Sequence, residues 1–200
     1  ADRRGFDGEN VMRRWLERQV HHFAPGSLTV LTDDLHSHQP VCLWLREHHC
    51  HFIMVCRPDS HLFLYEQVAE LTKLNYVSEV VTRFWNGHYW ERWTYHFVND
   101  LFLRDSDDAI LVNWCEIIIL REDTEATLYH SAFMTDHRIT AENVADIVAS
   151  GRARWKTENE NHNTLKNHGY HLEHNFGHGK QHLSNLLLSL NLLAFLLHTA

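Results

Sequence analysis

None of the four cysteines, Cys42, Cys50, Cys56 and Cys115, belongs to a C-x-x-C pair, and three of them sit in segments that read as strand or buried helix. That argues against a disulfide framework or a zinc ribbon and for reduced, mostly buried thiols in a cytoplasmic protein. Basic residues are not in excess either. Eighteen Lys+Arg against 26 Asp+Glu give a formal charge of −8. A surface that grips nucleic acid everywhere is disfavoured, although a local basic groove is still allowed. The opening residues, Ala-Asp-Arg-Arg, carry no apolar stretch and do not read as a signal peptide. The chain does not start with methionine, so residues upstream are expected. The leucine-rich segment from Leu183 to Leu197 is interrupted by Ser184, Asn185, Ser189 and Asn191. It is too short to cross a bilayer comfortably and is expected to be a buried core helix. No internal repeat or low-complexity tract stands out.

The 200 residues are 44% hydrophobic and 22% charged, an ordinary globular balance that suits one domain, with or without an insertion. There are 19 histidines, so the real charge shifts strongly between neutral and mildly acidic pH.

Residues 7–20 place Val11, Met12, Trp15, Leu16 and Val20 at helical spacing, and Pro25-Gly26 ends that pattern. Ser27 to Asp33 reads as a short buried strand ending on the acid pair Asp33-Asp34. Pro40 suits a first helical turn, continued by Val41, Trp44, Leu45 and His48. Phe52 to Cys56 is a second buried strand. Strand, helix, strand in this span is the rhythm of a parallel sheet. Residues 61–74 read as helix. The stretch from Tyr76 to Phe133 then reads as antiparallel strands inserted into the α/β core, with Asn86-Gly87 as a two-residue hairpin turn. The sequence is expected to turn helical again from Ile139, with Thr140 as N-cap. A loop rich in Gly, His and Asn runs from Gly169 to Gly179 and leads to the last helix.

On a helical wheel, Val144, Ile147, Val148, Gly151, Trp155 and Leu165 share one side, and Glu158 falls on that side, while Glu160 faces away. A carboxylate on an apolar stripe is costly unless it is paired or holds a cation. It either pairs with Arg154, four residues earlier, or belongs to a site. Asp33 and Asp34 end a buried strand, where α/β sheets place functional groups; they either cap the following turn or meet Glu158. Converging carboxylates make a hard oxygen site for Mg²⁺.

At this point the residues resemble a known family. R-W-K-T-E, Arg154 to Glu158, resembles the R-W-x-x-E signature of DDE-type transposases related to the insertion-sequence-four group. T-V-L-T-D-D-L, Thr29 to Leu35, resembles the strand that carries their second aspartate, and F-M-T-D, Phe133 to Asp136, the strand before their glutamate helix. The segment Gly169 to Gly179 is similar to one found in a branch of these bacterial proteins. Gly151 stands where the group has a tyrosine, and Leu165 where it has a lysine, with Lys166 one step later.

The resemblance implies an α/β fold: a partial RNase H-like core over residues 1–75, a β-rich insertion over 76–133, and a core completed over 134–200 by the glutamate helix and a C-terminal helical region. It implies Mg²⁺, replaceable by Mn²⁺, held by Asp33 and Glu158, with Arg154 beside them. It further implies strand cleavage and transfer at transposon ends into target DNA, by a full-length homodimer in the bacterial cytoplasm. The first aspartate of the triad is not found, so the chain alone is expected not to cleave DNA. If the alignment holds, the Asp33 and Glu158 carboxylates lie within roughly 4–8 Å of each other, close enough to share metal ions.

Arg152, Arg154, Lys156, Lys166 and Lys180 outnumber the acids between residues 152 and 182 and are candidates for phosphate contact. Tryptophans of the insertion either pack its own core or stack on an extruded base. His36/His38, His48/His49/His51 and His171/His174/His178/His182 are either solvated or metal-binding, and the last set contains i, i+4 pairs. Two other readings therefore stand beside the transposase: a catalytically inactive remnant that only binds DNA or a partner, and a histidine-rich metal-binding protein.

Overall fold

The computed structural model describes residues 8–156, 161, 163–172 and 181–199, without the side chains of 8–10 and 156. The chain divides into two compact units, Ala1–Gly151 and Arg152–Ala200.

The first unit is mixed α/β, built on one six-stranded mixed sheet. It opens with α1 (Gly8–Gln19) and a short 3-10 turn, then β1 (Thr29–Thr32), α2 (Gln39–Glu47), β2 (His51–Val55) and α3 (Leu62–Lys73). Pro40 lies in the first turn of α2, where its missing N–H costs nothing. Four strands follow: β3 (Ser78–Trp85), β4 (Trp90–Phe102), β5 (Leu111–Arg121) and β6 (Ala126–Thr135). α4 (Val144–Lys156) then crosses the boundary between the units. The sheet order is β1-β2-β6-β5-β4-β3. β1 and β2 are parallel, with Leu31 opposite Ile53, and every other pairing is antiparallel. Among the described residues no strand pairs with the outer edge of β1.

The alternation of β2 builds two cores. Phe52 and Met54, with Cys56 just past the strand, share one core with Leu16 of α1, Val41 and Leu45 of α2, Leu64 of α3 and Trp114 of the sheet. Ile53 faces the other way, toward Ile117, Phe133, Ile139, Val144, Ile147 and Val148. A bulge at Asn99–Asp100 in β4 switches parity, so Tyr95 and Phe97 serve the second core but Leu101 and Leu103 the first. Asp100 takes a positive φ of 63° there. Asn99 holds both the N–H and the carbonyl of Ile139.

Several sequence expectations are revised. The antiparallel strands do not form a sheet of their own. β6 bonds β2 directly, Ile53 opposite Thr135, and continues the parallel pair as one sheet. The reversal after β3 spans residues 86–89, because Trp85 pairs with Trp90. Gly87 takes φ +96° and the Asn86 side chain accepts the N–H groups of His88 and Tyr89, a four-residue Asx-type loop instead of a two-residue turn. α4 starts at Val144, not at Ile139. Residues 141–143 form a turn first, closed by Asn143, whose side chain bonds Thr140 N–H and the Arg138 carbonyl. The buried stripe of α4 ends at Gly151, and Trp155 is largely exposed. Gly151 is small for a reason: a Cβ there would stand 2.7 Å from the Phe133 ring.

The second unit contains the end of α4, then α5 (Asn163–Asn167) and α6 (Leu183–Thr199). Leu165 is buried. Tyr170 accepts a side-chain hydrogen bond from Asn191 on its carbonyl and packs edge-on against Phe195. The expectation of a buried core helix does not hold for α6. None of its residues is buried, because its leucines ring the helix and a unit this small has too little apolar surface to cover them all. Among the described residues no helix is long and apolar enough to cross a membrane. All four cysteines are free and buried. Burial pushes the Cys42 and Cys115 thiols up to about 12.

Candidate functional site

β1 delivers the acid pair to the C-terminal end of the two parallel strands. Thr32 is buried, Asp33 is extended at φ −82° and ψ 178°, and Asp34 opens a 3-10 turn to His36. The two neighbouring carboxylates have different surroundings. Asp34 is engaged on both oxygens. Its Oδ1 accepts the Arg57 N–H at 2.9 Å, and its Oδ2 accepts the Ser60 hydroxyl. It thereby ties the loop after β1 to the loop after β2. Asp33 is different. Its Oδ1 is buried and, among the described residues, has no hydrogen-bond partner. A buried carboxylate oxygen without a donor is costly, and a bound cation would remove that cost.

Ser37, His61 and Asp34 also meet here, but not as a nucleophilic triad. His61 Nε2 lies 2.7 Å from Ser37 Oγ and 3.6 Å from Asp34 Oδ1, so serine and acid face the same ring nitrogen. A triad acid must hold the other nitrogen. Ser37 is itself only 1% exposed. Burial lowers the proton affinity of His61 despite the nearby Asp34 carboxylate.

Of the remaining expected residues, Arg152 and Arg154 lie half-buried on the last turns of α4, and Lys166 is exposed on α5, all in the second unit. Lys156 ends α4, its side chain outside the described residues. Glu158 and Lys180 lie outside the described residues, as do Glu160, Glu173, His174 and His178. The Asp33–Glu158 separation is therefore not among the described geometry.

A second cluster sits at the other end of the parallel strands. His51 begins β2 opposite Thr29, and Asp136 and His137 directly follow β6. Asp136 Oδ2 lies 2.9 Å from His51 Nδ1, and Asp136 Oδ1 accepts the Phe52 N–H at 3.0 Å. The two imidazoles lie with ring centroids 4.3 Å apart. Thr29 Oγ1 lies 3.1 Å from His137 Nε2. One donor atom from each of the three side chains lies within 4.8 Å of the others. Burial holds His137 below the ordinary imidazole range, with His51 adding to the effect and Asp136 opposing it. Sequence reading placed His51 only in a local histidine set and treated Asp136 as the end of a strand motif. The signal that joins them is the pairing of β2 with β6, which spacing along the chain does not reveal.

At the far end of the sheet the β3–β4 reversal exposes aromatics. Phe84, Trp85 and Trp90 are each about half exposed. The Arg83 guanidinium lies over the Trp90 ring and that of Arg121 over Tyr89. Arg83, Arg92 and Arg121 are each ion-paired, with Glu122, Glu125 and Asp123. This tip therefore offers stacking faces, with its cations already neutralised. Trp114, by contrast, belongs to the core. Neither a protein-family model nor a curated protein matches the chain.

Proposed function

We propose that this chain is the catalytic region of a DNA transposase with an RNase H-like core, acting through Mg²⁺ on transposon ends. One observation carries the reading: the buried, unpartnered Oδ1 of Asp33 at the C-terminal end of a parallel strand, beside an Asp34 whose oxygens are both engaged. A fold that needed only a turn cap there already has one in Asp34. The strand–helix–strand start and the flanking antiparallel strands suit such a core.

In this reading Asp33 and Glu158 hold the ion, and Arg154 orients the glutamate or meets a phosphate. Arg152, Lys156, Lys166 and Lys180 contact the DNA backbone, which positions the duplex without reading its sequence. Mg²⁺, when bound, lowers the pKa of the attacking hydroxyl and neutralises charge at the phosphorus. Mn²⁺ substitutes for it. The exposed Trp85 and Trp90 offer stacking surfaces to a displaced base. The partners are transposon-end and target DNA and a second copy of the full-length protein, in a bacterial cytoplasm.

The test is paramagnetic. Mn²⁺ added to isotope-labelled protein is expected to broaden the amide resonances of residues 31–34, more strongly when a duplex with a free 3′ end is present. Asp33→Asn is expected to abolish the broadening and Glu158→Gln to weaken it. Broadening that persists unchanged in Asp33→Asn, or that never occurs in the wild type, overturns the assignment.

A further inference from the structure

We propose that His51, Asp136 and His137 form a binding site for a borderline divalent transition ion such as Zn²⁺, distinct in place and chemistry from the carboxylate end of the sheet. The place is set by topology. Thr29, opposite His51, begins β1, and Asp33, extended just past its end, is four residues on, roughly 13 Å at the usual rise. The chemistry is set by the donors. Two imidazoles and one carboxylate suit Zn²⁺ and its neighbours, whereas Mg²⁺ takes oxygen ligands and keeps its waters.

The three side chains are already gathered. Their donor atoms lie within 4.8 Å of one another, so a single ion placed among them reaches all three with small side-chain rotations. Two of the three, Asp136 and His137, are held by an outer contact of the kind that orients metal ligands. Phe52 N–H fixes the second oxygen of Asp136. Thr29 engages His137 Nε2, which leaves Nδ1 to ligate. The His137 backbone is clamped on both sides, its N–H by Thr135 Oγ1 and its carbonyl by the Asn113 amide. A cavity of about 390 Å³, lined by Thr29, His137, Arg138, Asp146 and Ser150 among others, opens beside the cluster. It gives room for water or a small oxygen ligand in the fourth position, the arrangement of an open zinc site.

Co²⁺ titration of chelator-treated protein tests this, because tetrahedral Co²⁺ has an intense visible band that loosely bound surface histidines do not produce. The expected result is one saturable equivalent with that band. His137→Gln is expected to lose the band or weaken the affinity about tenfold or more. Asp136→Asn is expected to do the same where circular dichroism shows it folded. Asp33→Asn is expected to leave the band untouched, so failure of this site and failure of the Mg²⁺ reading are separable. A band absent from the wild type, or equally strong in His137→Gln, overturns the proposal.

Discussion

At the scale of single residues, the division of labour between Asp33 and Asp34 is the most informative feature. The sequence placed both acids at a strand end and left open whether they cap a turn or serve a site. The donors that decide it, Arg57 N–H and Ser60 Oγ, come from the loop after β2 and could not be assigned by spacing. Asp34→Ala removes charge-assisted bonds to two groups and is expected to cost about 2–3 kcal/mol. Asp33→Asn relieves an unpartnered ionised oxygen and is expected to be neutral or stabilising when measured in chelator. Urea denaturation of the two variants at neutral pH checks this. Equal losses would mean that Asp33 is a structural residue like its neighbour.

Elements were legible where local pattern and tertiary structure agree. β1, α2, β2 and α3 all form within a few residues of where apolar spacing and proline placed them. The antiparallel strands were legible as strands, but their membership of the main sheet was not, since nothing local records that β6 pairs with β2. α4 shows both outcomes. Its buried face was read correctly through Gly151, but Trp155 is exposed beyond it. Gly151 sits where helix and sheet approach closely, with Phe133 across from it. Gly151→Ala gains up to about 1 kcal/mol in helix propensity. It also forces a methyl into a ring 2.7 Å away, and overpacking costs about 1–3 kcal/mol. The clash is expected to win, with a net loss near 1–2 kcal/mol in thermal or chemical unfolding. A stabilised variant would mean that Phe133 moves aside freely.

For the molecule as a whole, pH acts through a cross-strand chain on the antiparallel strands. His96 lies between Glu79 and Glu116, and Glu116 is also bonded to His130. The bond to Glu116 raises the His96 pKa above its ordinary 6.5, against the effect of burial and with help from Glu79. Burial raises Glu116, but the bonds from His96 and His130 outweigh it and bring it below its ordinary 4.5. The stability His96 contributes is complete below 6.5 and is lost as pH rises through the raised value. That of Glu116 is complete above 4.5 and is lost as pH falls through the lowered value. His61 and His137, both lowered by burial, act oppositely and weaken the fold as pH falls below 6.5. The informative quantity is therefore the difference between wild type and His96→Gln. That difference in melting temperature is expected to be largest between about pH 4.5 and 6.5 and to shrink on either side. A difference independent of pH would mean that the chain is not ionically coupled.

The β2–β6 seam also has a kinetic consequence. The four antiparallel strands are joined by short reversals and can pair with little loop-closure entropy. Joining Ile53 to Thr135 instead closes a long loop, which the hairpins do not need in order to form. Fastenings across that seam are thus expected to form late on the folding path. They include Thr135 Oγ1 on the Phe52 carbonyl and Asp136 on His51 and the Phe52 N–H. Interactions absent from the transition state slow unfolding without speeding folding. Asp136→Asn is therefore expected to speed unfolding in stopped-flow denaturation while leaving the refolding rate nearly unchanged; an equal loss in the refolding rate would place the clasp in the transition state.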